Sequence, residues 1–306
     1  MRWRLRCPGS VDPASALRST ANQCVVTPLT TADLSTEAAT PLVGIRTGIG
    51  GWVYPAWRKN FYPNGLVQKQ ELHYASRQLA MIEINATFYR APAASTYVKW
   101  REDTPDGFMF SLKAPRYVTD SGTLAGVKKG IDRFIFGGLT ELGDRLGPIV
   151  WQLAPSRAFD RDGIAAFIDD LPRELDGQPL RHVLEPRHDS FLCDDYLMLT
   201  RANGIASVFT DSPDHPSFAD VTADFVYARL MRSRTGIGTG YPADELDAWS
   251  RRAQTWAAGG TPDDLPCIDA DTPIAKTSRA VFMCFISAAK ERNPAAAMAL
   301  QQRLRR

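Results

Sequence analysis

The chain has 306 residues, 44% hydrophobic and 23% charged, and its 36 Lys and Arg against 34 Asp and Glu leave a formal net charge of +2. This balance excludes a disordered, collagen-like or fibrous chain, and no stretch approaches the roughly 18 uncharged apolar residues that a membrane-spanning helix requires. The near-neutral charge also lacks the bulk basic excess of a duplex-binding protein.

Residues 1–40 are rich in Ser, Thr, Ala and Pro, open with Arg2, Arg4 and Arg6, and lack both a sustained apolar period and the apolar run of a secretory signal. They read as a disordered N-terminal extension or the product of an upstream start codon, with a transit peptide as the competing reading. A single barrel domain is expected over residues 41–306.

From Val43 onward, short β-rich runs alternate with longer helical stretches. The spacing predicts strands at Val43–Thr47, Met81–Asn85, Phe108–Lys113, Ile149–Leu153, His182–Glu185, Ala206–Thr210, Phe225–Leu230 and Val281–Phe285. Helices are predicted between them at Gln68–Ala80, Ala94–Glu102, Gly126–Leu142, Asp160–Asp170, Asp194–Ala202, Ala243–Ala258 and Pro294–Leu304. Eight such units over about 260 residues match an α/β chain folded as a (β/α)8 TIM-like barrel, with irregularity expected at the last strand–helix unit. A doubly wound sheet is the competing architecture. Its dinucleotide fingerprint fails here, because Gly48-Ile49-Gly50-Gly51-Trp52-Val53 holds Val53 at the third glycine position.

In a barrel, chemistry collects at the C-terminal strand ends. Side chains at i and i+2 share a face, which pairs Glu83 with Asn85, Ser111 with Lys113, Glu185 with Arg187 and Tyr227 with Arg229. Apolar Ile82, Ile84, Leu112 and Ala228 lie between them and should face the helices, so the polar set should face the axis. Glu83, Glu185, Lys113 and His188 are the candidate catalytic residues, since opposed carboxylates and cations suit acid–base work. Asn85, Arg116, Gln152, Arg187, Asp211, Tyr227 and Arg229 are candidate substrate contacts. The plainer reading is a set of structural ion pairs closing the barrel top.

Ten of the 30 aromatic residues fall within 52–100. Trp57, Phe61 and Tyr62 are expected to pack a long first loop, while Trp52, Tyr54 and Tyr89 are expected near the pocket. The segment Arg232-Ser233-Arg234 followed by Gly236, Gly238 and Gly240 could clamp an anion, or could simply be a glycine-rich loop. Glu83, Glu185, His188 and Asp211 could form a carboxylate-rich metal site, but Lys113, Arg187 and Arg229 would crowd positive charge against a cation; a divalent metal is therefore disfavoured and no cofactor is expected. The five cysteines are scattered without a C-x-x-C, which fits a reducing, cytoplasmic setting.

The motifs resemble the YecE-like family, domain of unknown function 72. The resemblance rests on Gly51-Trp52, Tyr54-Pro55, Trp57 and Phe61-Tyr62-Pro63; on Glu83-Ile84-Asn85-Ala86-Thr87-Phe88-Tyr89-Arg90; on Trp100 and Thr104-Pro105; on Phe110-Ser111-Leu112-Lys113-Ala114-Pro115-Arg116; on Leu146-Gly147-Pro148, Gln152-Leu153 and Pro155; and on Glu185-Pro186-Arg187-His188-Asp189-Ser190 with Tyr227-Ala228-Arg229-Leu230. It covers roughly residues 45–290 and implies a TIM barrel without supplying a reaction. By position, Glu83, Asn85, Lys113, Gln152, Glu185, Arg187, His188 and Arg229 would line its pocket. Where the family usually carries an Asn-rich acidic stretch after the last strand, this chain reads Cys284-Phe285-Ile286-Ser287-Ala288-Ala289-Lys290. Leu230-Met231-Arg232 likewise stands where the family often has Leu-His-Gly. These departures imply altered substrate preference or lost activity.

The expectation is an enzyme or enzyme-like barrel binding a small polar anionic substrate, phosphorylated or sugar-like, with hydrolase, lyase and isomerase chemistry all open. Nucleic-acid binding or processing is the less favoured partner reading, and a non-catalytic ligand-binding scaffold is the third. No membrane partner is expected, and no feature specifies an oligomeric state.

Overall fold

The computed structural model describes residues 44–305. The extension expected over residues 1–40 lies outside them, as does Val43.

Eight parallel strands close a barrel in chain order: β1 Ile45–Gly50, β2 Met81–Ile84, β3 Met109–Lys113, β4 Leu146–Gln152, β5 His182–Glu185, β6 Ala206–Thr210, β7 Phe225–Leu230 and β8 Ala280–Phe285. β8 returns to pair with β1 from Ile45↔Val281 to Ile49↔Phe285. The intervening helices are α1 Glu71–Gln78, α2 Ala94–Asp103, α3 Arg116–Thr119, α4 Lys128–Ile135, α5 Arg161–Asp169, α6 Asp194–Asn203, α7 Ala243–Ala257 and α8 Asn293–Leu304. Among the described residues, no helix is long and apolar enough to cross a membrane.

The strand alternation divides the core in two. Ile82, Ile84, Leu112, Trp151 and Ala228 pack outward against the helices. Met81, Val150, Val183, Val208, Phe225 and Phe282 fill the barrel interior. A parallel barrel hides both faces of each strand, so both sets are buried and the polar residues inside it must find partners. The loop aromatics Trp57, Phe61 and Tyr62 are buried in the outer core, as expected of packing residues. Fully burying each such side chain contributes about 1.5–3 kcal/mol.

Several boundaries differ from the sequence reading. β1 runs on to Gly50 because its glycines belong to the strand. A Cβ on Gly48 would lie 2.0 Å from the Met81 carbonyl oxygen, so only glycine permits this approach of β1 to β2. β4 begins at Leu146 and contains Pro148, whose missing N–H is tolerated because the β3–β4 register shifts between Phe110 and Leu112. The helix expected over Gly126–Leu142 ends at Ile135, and Gly138 (φ 123°) turns the chain into a separate 3-10 segment. Asp176 and Gly177, both with positive φ, close a two-residue hairpin between Glu174–Leu175 and Gln178–Pro179 that the alternation did not signal. The irregularity expected at the last unit lies beside β8 and not within it: β8 pairs without a bulge on both sides, while Ser287 (φ 61°) and Ala288 (φ 44°) make the turn toward α8.

Candidate functional site

At the C-terminal ends of the strands the interior becomes polar. Glu83 on β2, Ser111 and Lys113 on β3, Gln152 on β4, Glu185 on β5, and Tyr227 and Arg229 on β7 occupy alternate positions of one face. Arg229 is the hub. Its Nη2 donates to Glu83 Oε1 at 2.8 Å, and its Nη1 donates to Glu185 Oε2. Glu185 Oε2 also accepts from Gln152 Nε2 at 2.8 Å, and Oε1 accepts from Arg187 Nη2 at 2.9 Å and Nε at 3.2 Å. The Tyr227 phenol donates to Glu83 Oε2 at 2.9 Å and lies 2.8 Å from the Ser111 hydroxyl, which donates to the Pro148 carbonyl at 2.8 Å. The tyrosine ring rests on Phe282 below, which ties the polar layer to the apolar interior.

Glu83 is 0% exposed, and Glu185 and Arg229 are 2% exposed, so these charges persist only through mutual pairing. Burial opposes ionisation of Glu185, yet the Arg229 and Arg187 guanidiniums and the Gln152 amide hold its carboxyl down at about 2. Burial likewise opposes the Arg229 charge, and Glu185 and Glu83 outweigh it, raising its pKa above the ordinary arginine value. Glu185 accepts four hydrogen bonds, which leaves little lone-pair capacity for a proton. As a base at neutral pH it is weak, and its evident work is to fix two guanidiniums in place.

Lys113 differs from its neighbours. Its Nζ lies 3.8 Å from the Phe88 ring centroid, and among the described residues no carboxylate oxygen approaches it within 4 Å. Burial, then Arg229, depresses its pKa from 10.5 to about 8, against the opposing pull of Glu185 and Glu83. The cluster therefore sets three cationic side chains, Arg187, Arg229 and Lys113, against two carboxylates.

Other sequence candidates stand apart from this cluster. His188 caps a 3-10 turn, its Nδ1 held by the Ser190 amide at 3.2 Å and the Ser190 hydroxyl at 2.8 Å. Asp211 accepts from the Met231 amide and from the Tyr241 phenol at 2.8 Å, so it fastens the loop after β7. Burial raises its pKa, and those hydrogen bonds work against the rise. Tyr89 is 70% exposed, with the Arg116 guanidinium 5.7 Å from its ring. Arg234, in the glycine-rich loop, pairs with Glu245. Trp52 and Asn85 border a cavity of about 390 Å³ on the β1–β2–β8 side of the rim, together with Gly50, Trp100, Ile286 and Lys290. Asn85 Nδ2 approaches the Glu83 carbonyl at 3.4 Å, the link from this cavity to the charge cluster. Tyr54 lies at the edge of that region, its ring centroid 4.7 Å from Lys290 Nζ.

The sequence reading left three contributors unassigned. Phe88 supplies the surface under Lys113. Cys284 lies inside the barrel beside Glu83 and Arg229, and burial, then Glu83, pushes its thiol pKa well up, so it behaves as an inert filler. His215, half-buried in the loop after β6, has its pKa lowered by burial and then by Arg187, and its buried Nδ1 has no partner among the described residues. Period-two reasoning does not reach loop residues, so His215 had no signal. Among the described residues, no group of three or more His, Cys, Asp and Glu side chains converges as a metal site. His182 is a satisfied core histidine, bound to Trp151 and the Pro172 carbonyl.

A family model described as "Protein of unknown function DUF72" matches residues 46–306. The UPF0759 protein YecE of Escherichia coli O157:H7 is 27% identical over 175 residues, which is 55% of this chain and 59% of that protein. Its counterpart from Escherichia coli strain K12 is 28% identical over 141 residues, 45% of this chain and 48% of that protein. The match thus spans about half the length of these relatives. Among solved structures, a DUF72 family protein from Thermotoga maritima superposes with a TM-score of 0.61 at 21% identity, covering 84% of this chain and 96% of that one. One from Enterococcus faecalis V583 gives 0.60 at 14% identity, covering 86% and 96%. At these identities the likeness concerns the fold.

Proposed function

This chain belongs to the DUF72 family, and from the charges gathered at its barrel rim we propose that it is an enzyme or enzyme-like protein that binds a small polar anion there. The observation that carries the reading is the surplus charge. Glu83 and Glu185 are satisfied by Arg229 and Arg187, while Lys113 has no carboxylate partner among the described residues. A half-buried, unpaired ammonium is costly, and an anionic ligand would offset that cost. Lys113 would meet the anion as a point charge and Arg187 as a planar donor, with Glu185 holding the guanidinium steady. Near pH 7 Lys113 is suited to proton transfer, because its pKa of about 8 lies close to working pH.

Calorimetric titration with phosphate, sulfate and small carboxylates tests the reading. Lys113→Met should weaken the tightest of these anions about tenfold, the worth of one charge-assisted contact. Equal affinity in native protein and variant would overturn it.

One observation favours a second reading. Exposed Tyr89 beneath Arg116 is a surface on which a nucleobase could stack. Binding to a single-stranded oligonucleotide that weakens steeply with salt and is lost in Tyr89→Ala would support it, and a flat salt dependence would remove it.

A further inference from the structure

We propose that the Lys113 amine is a nucleophile that condenses with the carbonyl carbon of a small anionic aldehyde or ketone at the barrel rim. This rests on the anion-binding reading above and assigns that site a covalent chemistry and a substrate class.

The geometry carries it. Lys113 is the last residue of β3, half-buried, its amine over the face of Phe88 at 3.8 Å. The ring restrains the nitrogen without taking a proton; its face favours the ammonium, and burial and Arg229 oppose that form. The charged groups around the amine come from separate strand ends: Arg229 on β7, Glu185 on β5 with Arg187 just beyond it, and Glu83 on β2. Both carboxylates are committed to guanidiniums, so neither neutralises the amine directly. Burial, with Arg229 and Arg187 nearby, outweighs the pull of Glu185 and Glu83 and keeps a fraction of the amine unprotonated at neutral pH. Its pKa of about 8 agrees.

The step balances without an oxidant or reductant. The nitrogen lone pair attacks the carbonyl carbon, the C=O π pair moves to oxygen, and that oxygen takes one proton from the attacking nitrogen and a second from solvent. The carbinolamine then expels that oxygen as water, and the nitrogen pair forms the C=N bond. Amine, carbonyl and one proton become an iminium and water. The ligand's carboxylate or phosphate would be met by Arg187, whose Nη1 makes no hydrogen bond among the described residues. Lys290 is a built-in comparison. It is also half-buried beside aromatic rings, 4.7 Å from Tyr54 and 5.7 Å from Trp57, but it has no guanidinium among the causes of its lowered pKa, which is burial alone.

The test is reductive trapping on the full chain. Protein is incubated at pH 7 with pyruvate or with dihydroxyacetone phosphate, reduced with borohydride, digested and mapped by mass. At pH 7 an amine of pKa about 8 is about 9% unprotonated, against about 0.03% for one at 10.5, a ratio of about 300. The lower basicity also weakens the nucleophile, so Lys113 should label on the order of 10–100 times faster than the other lysines, half-maximally near pH 8. The adduct mass should equal the carbonyl compound less water plus two hydrogens, and Lys113→Arg should abolish the fast phase. Even labelling across the eight lysines, predominance of Lys290, or a fast phase that survives in Lys113→Arg would overturn the proposal. Calorimetry on the same native protein separates the two readings. Anion binding without a Lys113 adduct removes the nucleophile alone, whereas absence of anion binding removes both.

Discussion

Replacing Arg229 with Met would keep much of the side-chain volume and remove the charge that two buried carboxylates share. Glu83 would retain only Tyr227, and Glu185 would retain Arg187 and Gln152. Breaking a buried ion pair by deleting one partner costs about 3–5 kcal/mol, and one guanidinium serving two carboxylates places this variant at the upper end. The drop of the Glu185 carboxyl from 4.5 to about 2 corresponds to about 3 kcal/mol, the net of its donors against the burial that opposes ionisation. Against a total stability of about 5–15 kcal/mol, the urea midpoint should fall by at least a third. The pH dependence has a definite sign. In the native protein the folded pKa of Glu185 lies below its unfolded value, so its stabilisation is present above pH 4.5 and is lost as pH falls toward 2. In the variant, a buried carboxylate stripped of its guanidinium protonates more readily, so lowering the pH relieves the damage. Urea titration followed by tryptophan fluorescence at pH 7 and pH 5 should therefore show the native–variant gap narrowing at the lower pH, and Glu83→Gln in the variant background should recover part of the loss. A loss below about 1 kcal/mol at pH 7, or a gap that widens on acidification, would refute the reasoning.

Tyr227→Phe removes a buried donor from Glu83 and a contact with Ser111, and should cost about 1–3 kcal/mol in thermal or urea unfolding. Gly48→Ala drives a methyl to 2.0 Å from the Met81 carbonyl, so it should destabilise by about 3 kcal/mol or more and sharply lower soluble yield; native-like yield and melting temperature would contradict the packing of β1 on β2. Asp211→Asn keeps the acceptor for the Met231 amide but breaks the match to the Tyr241 phenol. Amide exchange in the loop after β7 should accelerate while β3 amides stay protected, and uniform protection would contradict the fastening role.

The barrel was legible because two periodicities agree over most of the chain. Interleaved Ile82, Ile84, Leu112 and Ala228 marked the outward face of β2, β3 and β7, and the opposite face holds Glu83, Lys113 and Arg229. Register and partnership were not legible. Glu83 and Arg229 stand 146 positions apart, and a linear pattern says that both face the axis without saying which carboxylate each guanidinium takes. Close approach defeated the boundary of β1, since Gly48 reads as a turn residue until Met81 is in place. His188 and Asp211 followed strand ends in sequence, but loop direction turns one to a local cap and the other to the loop after β7. The altered segment at the end of β8 was visible in the sequence; its consequence, Ile286 crowding Gly50 while Cys284 fills the interior beside Glu83, required the fold.

The central claim is that side chains from separate strands form one anion-accepting cup, with Lys113 as the cation that has no carboxylate partner among the described residues. A crystal soaked in selenate tests this directly, because the anomalous signal of selenium locates the anion without interpretation of weak density. The account predicts a peak within hydrogen-bonding distance of Lys113 Nζ, with Arg187 on its other side. Peaks confined to other surfaces, with no anion at Lys113, would contradict it.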